Sequence, residues 1–104
     1  MKTENLTREA LTRYAAEHRE SFEALLKDFV EIPSVSVDPT KKNAIRENAK
    51  LAAEVIRRFG GEPAILETEG HPIVAGAWGK NPDWPTVTVY NHLDVQPASQ
   101  ETEP

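Results

Sequence analysis

The stretch that decides the fold reads Thr86-Val87-Thr88-Val89-Tyr90-Asn91-His92-Leu93-Asp94-Val95-Gln96-Pro97-Ala98. Its first residues are mostly β-branched or aromatic and predict a strand over about residues 86–91. His92 follows at the carboxyl end of that strand, where α/β sheets place their ligands. Asp94 lies two positions further, and a metal-bound imidazole usually donates its second N–H to such a carboxylate. The spacing is compatible with a metal ligand and its orienting carboxylate, although on spacing alone a surface histidine beside a solvated aspartate is the more common arrangement.

Two helices and a hairpin precede this strand. Apolar residues recur in steps of three and four, which predicts helices over about residues 7–31 and about 41–59. Proline follows the first helix and a glycine pair follows the second, and both residue types end helices. Two β-prone runs, over about 63–68 and about 72–78, then flank a turn. This order predicts an α/β fold of two helices followed by a mixed sheet of at least three strands.

Length and composition restrict the classes of protein that fit. The 104 residues, 38% hydrophobic and 28% charged, suit one small globular domain or a piece of a larger one. A net charge of −5 without a basic run argues against nucleic acid or an anionic membrane as partner. Cysteine is absent, so disulfides, thiolate metal sites and cysteine nucleophiles are excluded. No apolar run is long enough to span a bilayer and no signal peptide is evident, so we expect a cytoplasmic protein.

The run from Val89 to Ala98 resembles the first metal motif of the co-catalytic zinc exopeptidases and deacylases. That family includes aminoacylase, acetylornithine deacetylase, glutamate carboxypeptidase and the carnosine-type dipeptidases. The segment Phe29-Val30-Glu31-Ile32-Pro33-Ser34-Val35-Ser36 is similar to the end of the family's first helix, and the likeness extends over roughly residues 10–98. The Asp94-Val95-Gln96-Pro97 ending resembles the dipeptidase and carboxypeptidase branches more than the others.

The resemblance implies that His92 is a metal ligand and that Asp94 belongs to the catalytic site as the carboxylate that orients it. Asn91 departs from the pattern, because relatives commonly carry glycine there. The implied cofactor is a pair of divalent ions, zinc or alternatively cobalt or manganese. The implied reaction is hydrolysis of a peptide or an N-acyl amino acid.

The family's other ligands and its general base lie downstream of this motif, whereas the sequence stops ten residues after Asp94. We therefore expect residues 1–104 to be the N-terminal part of a metallopeptidase catalytic domain. Alone, this part is expected to be inactive, to bind zinc incompletely and to self-associate, most simply as a homodimer. The alternative is a small non-catalytic α+β module for binding or assembly.

Four other residues are of types that act as metal ligands or nucleophiles, but a structural role explains each of them better. His18 lies on the apolar stripe of the first helix and is expected to be a partly buried core histidine. His71 precedes a proline and is expected to be a solvated turn residue. Ser34 and Ser36 lack the Gly-x-Ser-x-Gly pattern of a nucleophile elbow, so we interpret both as turn residues.

Overall fold

The computed structural model describes residues 6–79 and 81–98. These residues form two compact units, the first ending at Glu31 and the second beginning at Ile32. The elements, in chain order, are α1 (Arg8–Glu17), α2 (Arg19–Glu31), a 3₁₀ helix (Pro39–Lys41), α3 (Lys42–Arg58), β1 (Glu62–Leu66) and β2 (Ile73–Ala77). The α/β character predicted from the sequence is confirmed. Within the described ranges, no helix is long and apolar enough to cross a membrane.

The first unit contains α1 and α2, which divide the single helix predicted over residues 7–31. α1 begins after Thr7, whose side chain accepts a hydrogen bond from the Ala10 N–H at 3.1 Å. The division falls at His18, whose φ of −106° and ψ of 6° depart from helical values. Its ring Nδ1 bonds the Tyr14 carbonyl at 2.9 Å, and the Ser21 hydroxyl donates to the His18 carbonyl at 2.8 Å. These side-chain bonds favour a local turn over continued helix, which apolar periodicity alone does not reveal.

The second unit is built around α3, which packs on a hairpin of β1 and β2. The strands are antiparallel, with a register that runs from Glu62 opposite Ala77 to Leu66 opposite Ile73. Small residues on one face of α3 form the buried apolar core, namely Ala49, Ala52 and Ala53. Gly76 in β2 allows the close approach, because a Cβ there would lie 2.8 Å from Cδ1 of Ile56. Gly60, at a φ of +86°, ends the helix in the left-handed conformation that glycine favours.

The third strand, predicted over residues 86–91, is not formed. Within residues 6–79 and 81–98 the sheet consists of two strands that pair antiparallel. The predicted mixed sheet of at least three strands is therefore not present in these ranges. Val87, Val89 and Tyr90 are instead 84%, 75% and 88% exposed. A strand exists only through ladder hydrogen bonds to a neighbour, and this segment pairs with neither β1 nor β2. The segment therefore has the β-propensity of a strand but does not pair with either strand of the sheet.

Candidate metal-binding site

The backbone on both sides of Asp94 is held by hydrogen bonds to two buried polar residues. The Val95 N–H donates to the Ser34 carbonyl at 3.1 Å, and Nδ2 of Asn48 donates to the Leu93 carbonyl at 2.8 Å. The same Nδ2 donates to Oγ of Ser34 at 2.8 Å. Ser34 is 1% exposed and Asn48 is 2% exposed. The loop that carries Asp94 is therefore fixed from within the second unit.

Local sequence explains how these two residues reach the loop. Pro33 follows α2, and the chain then turns, with the Val35 N–H donating to the Pro33 carbonyl at 2.9 Å. This turn directs Ser34 inward. Asn48 precedes Ala49 on the buried face of α3, so its amide faces the same interior. A polar residue there must find partners, because an unpaired buried amide is costly.

Asp94 is the centre of the site and uses its two carboxylate oxygens differently. Oδ2 accepts a hydrogen bond from the Ser36 hydroxyl at 2.6 Å. Oδ1 lies 3.2 Å from Nδ1 of His92. The Ser36 hydrogen bond is the main reason that the pKa of Asp94 lies below its ordinary value; burial opposes this shift, and His92 adds to it. Asp94 is therefore an ionised carboxylate at neutral pH.

The surroundings of His92 determine which ring nitrogen carries the hydrogen. Nδ1 lies near two oxygens of Asp94, the carboxylate Oδ1 at 3.2 Å and the backbone carbonyl at 3.3 Å. Both oxygens can only accept, so Nδ1 is the donor and Nε2 of the neutral ring holds a free lone pair. The His92 side chain is 78% exposed. This arrangement is the one that metal-binding imidazoles use, with one nitrogen on a carboxylate and the other on the ion.

The described residues fit one metal ligand but not a complete site. A catalytic zinc ion needs about three protein ligands. Among residues 6–79 and 81–98, no group of three or more histidine, cysteine or acidic side chains could hold a metal ion. The described residues by themselves therefore do not make up a three-ligand zinc site.

Three of the four other sequence candidates, His71, Ser34 and Ser36, take part in the hydrogen-bond network around this site. His71, in the turn between β1 and β2, is exposed, and its Nε2 is 2.8 Å from the Ser36 carbonyl. Ser34 and Ser36 do lie in a turn, as interpreted, but both hydroxyls also hydrogen-bond side chains of this network. Sequence reasoning missed Asn48 altogether. Its signal was a polar residue directly before Ala49 within the apolar stripe of a helix.

Comparison with curated proteins finds relatives that are dipeptidases. The chain is 34% identical over 93 residues to the Cys-Gly metallodipeptidase of Schizosaccharomyces pombe, covering 80% of this chain and 20% of the relative. It is 31% identical over 106 residues to the Beta-Ala-His dipeptidase of Mus musculus, covering 89% and 22%. It is 30% identical over 100 residues to the Cys-Gly metallodipeptidase of Saccharomyces cerevisiae, covering 80% and 21%.

The chain thus spans about a fifth of the length of the curated relatives it matches. No protein-family model matches the chain. No solved structure matches it either. Of the dipeptidase and carboxypeptidase branches that the sequence resembles, the likeness to the dipeptidases is confirmed by these homologues.

Proposed function

We propose, from the homology of this chain to the metallodipeptidases, that it supplies one part of the metal site of a metal-dependent dipeptidase. In this proposal His92 binds a divalent ion through Nε2, and Asp94 orients its ring. The observation that carries the proposal is the 3.2 Å contact between Nδ1 of His92 and Oδ1 of Asp94, which leaves Nε2 free and exposed. Zinc commonly takes an imidazole ligand of this kind, and the family resemblance adds cobalt and manganese as alternatives.

A bound divalent ion supplies two effects, polarisation of the scissile carbonyl and a lower pKa for a coordinated water. The residues of this chain have narrower roles. Nε2 of His92 holds the ion, and Asp94 keeps the hydrogen on Nδ1. The family resemblance implies a second ion, a general base and further ligands downstream of this motif, and among the described residues no group of three or more histidine, cysteine or acidic side chains could hold an ion.

The proposed substrates are small peptides, since the homologues bear the names of enzymes for Cys-Gly and Beta-Ala-His. Self-association is a further proposal. Val87, Val89 and Tyr90 are largely exposed along a segment with β-propensity, and such a segment tends to pair with another strand. Sedimentation at micromolar concentration tests this, and a monomer at every concentration would contradict it. Residues 1–104 alone are expected to hydrolyse no dipeptide.

The test of the proposed function uses the protein in which these residues are joined to the rest of a dipeptidase's length. We expect His92→Ala to lose bound metal and dipeptide hydrolysis together. Asp94→Asn should keep much of the metal but lose about 10–100-fold in activity, the usual effect of removing a partner that orients a metal ligand. The measurements are metal content by elemental analysis and hydrolysis of a dipeptide panel.

His18→Ala is the matched control, because it makes the same exchange at a histidine whose ring bonds the Tyr14 carbonyl. It should change neither metal content nor hydrolysis. Wild-type kinetics in His92→Ala would remove this residue from the site. An unmodified protein without metal-dependent hydrolysis would instead support the alternative of a non-catalytic binding module.

A further inference from the structure

The carboxylate of Asp94 is held at both oxygens, and the second partner comes from a distant part of the sequence. The Ser36 hydroxyl donates to Oδ2 at 2.6 Å across 58 positions of the chain. This distance is in the range of strong, charge-assisted O–H···O⁻ bonds. Oδ1, the other oxygen, is the one near His92. The hydrogen bond from Ser36 therefore restricts the rotation of the Asp94 carboxylate, whose other oxygen lies next to the imidazole.

Ser36 is itself held in place by its neighbours. Its carbonyl is 2.8 Å from Nε2 of His71 in the hairpin turn. Two positions before Ser36, the Ser34 carbonyl accepts the Val95 N–H at 3.1 Å, which joins the segment after Pro33 to the backbone directly after Asp94. The hydroxyl is thus presented to Asp94 by a backbone that is fixed on both sides.

We propose that Ser36 is a positioning residue of the metal site, which sets the direction of the Asp94 carboxylate and through it the ring of His92. This inference deepens the proposed function and depends on it. The carboxylate side chain is 40% exposed, so water can replace the lost hydrogen bond in Ser36→Ala. Water does not fix the direction of the carboxylate, because it is not anchored to the turn. Loss of the hydroxyl should therefore affect the metal site more than the fold.

A purely structural role for Ser36 leads to a different expectation. If Ser36 served only the turn, Ser36→Ala would lower the unfolding midpoint and leave metal affinity unchanged in the folded protein. If it positions Asp94, Ser36→Ala raises the dissociation constant for zinc by about 10-fold, the lower end of the range for groups that orient metal ligands. The turnover number falls with it, while KM changes little.

The experiment uses the protein with the full length of a dipeptidase. Zinc affinity is measured by competition with a chromophoric chelator, and dipeptide hydrolysis gives kcat and KM. Ser36→Thr retains the hydroxyl and should restore most of the zinc affinity lost in Ser36→Ala. Ser21→Ala is the matched control, because it removes a serine hydroxyl that donates to the His18 carbonyl and should leave zinc affinity unchanged.

A double-mutant cycle with Asp94→Ala separates positioning from general damage. Because Ser36 acts through Asp94, Ser36→Ala should weaken zinc binding in the wild-type background and have no further effect when Asp94 is already alanine. Equal losses in the two backgrounds would overturn the inference. It would also be wrong if Ser36→Ala bound zinc as the wild type does, or if Ser36→Thr lost as much affinity as Ser36→Ala.

The two proposals fail in distinguishable ways. If His92→Ala loses zinc while Ser36→Ala keeps it, the positioning role is wrong and the proposed function stands. If His92→Ala binds zinc normally, the proposed function is wrong, and the positioning role is overturned with it.

Discussion

The clearest test of how the site is built is the replacement of Asn48 by alanine. Its amide Nδ2 donates to Oγ of Ser34 and to the Leu93 carbonyl, both at 2.8 Å, and the residue is 2% exposed. Its Oδ1 has no partner in the part of the chain that the structure describes. Asn48→Ala therefore removes two hydrogen bonds and one buried, unsatisfied oxygen.

The expected loss of stability follows from these three changes. Each hydrogen bond contributes about 1 kcal/mol net, and a buried group left without its partner costs about 1–3 kcal/mol. Ser34 is fully buried and incurs that cost, whereas Leu93 is 38% exposed, so water can reach its carbonyl. Removing the unsatisfied Oδ1 raises the free energy of unfolding by about 1 kcal/mol, which offsets part of this loss. We expect a net loss of about 2 kcal/mol in the free energy of unfolding.

Asn43→Ala is the matched control, since Asn43 is an exposed residue of the same helix. The exchange of asparagine for alanine raises helix propensity by roughly 0.5 kcal/mol, and comparing the two variants removes most of this gain. Urea unfolding followed by circular dichroism should give a lower midpoint for Asn48→Ala than for Asn43→Ala. With a urea slope of about 1–3 kcal/mol per molar, a loss of about 2 kcal/mol shifts the midpoint by roughly 1 M.

Asn48→Asp sharpens the test, because it keeps the volume of the side chain but replaces the donor with a carboxylate oxygen. That oxygen would face the Leu93 carbonyl, which can only accept, and a buried charge is costly unless it is paired and fully hydrogen-bonded. Asn48→Asp should therefore be less stable than Asn48→Ala at neutral pH. The buried amide of Asn48 does not stabilise the fold in this way if Asn48→Ala unfolds at the same urea concentration as Asn43→Ala, or if Asn48→Asp is more stable than Asn48→Ala.

The remaining predictions concern packing and charge in the second unit. Gly76→Ala should cost about 1–3 kcal/mol by overpacking against Ile56, whereas Gly70→Ala, whose nearest neighbour would be 3.8 Å away, should be nearly neutral in the same urea assay. The hydrogen bonds from Arg46 hold the pKa of Glu67 below its ordinary value. Their stabilising effect is therefore present above the ordinary glutamate pKa and is lost as the pH falls through the lower folded value. Glu67→Gln should lower the urea midpoint at pH 7 and match the wild type near pH 2; a constant difference at both pH values would contradict this account.

Sequence reasoning succeeded where the determinants are local. The periodic apolar face and the glycine pair at 60–61 indicate a helix, and α3 occupies Lys42–Arg58. The β-prone runs around the turn at 69–72 correspond to β1 and β2. It failed at residues 86–91, because β-propensity describes a preference for a pleated surface and does not supply the neighbouring strand. It also missed the interruption at His18, which depends on side-chain bonds to the backbone.

The same distinction applies to the candidate site. His92 and Asp94 are two positions apart, so a motif can indicate them together. Ser36 lies 58 positions from Asp94, and no local pattern reveals that its hydroxyl reaches the carboxylate. The interpretation of Ser36 as a turn residue is correct for its backbone but leaves out its side chain. The position of Asn48 in an apolar stripe could have indicated a buried polar residue, but it does not indicate that the Leu93 carbonyl is its partner.

Burial in the second unit is distributed in a way that explains how the exposed His92, the proposed metal ligand, is held. Among the described residues, the two with the lowest exposure are polar, Ser34 and Asn48, and the buried apolar core is made of alanines. Buried polar pairs add little net stability, but they fix geometry when their hydrogen bonds are satisfied. Both residues bond the backbone next to Asp94. His92 can therefore remain 78% exposed and still be held in one direction, because the polar network fixes the backbone and carboxylate beneath it. If His92 binds a divalent ion as proposed, this coupling predicts that Asn48→Ala, besides lowering stability, weakens metal binding while Asn43→Ala does not.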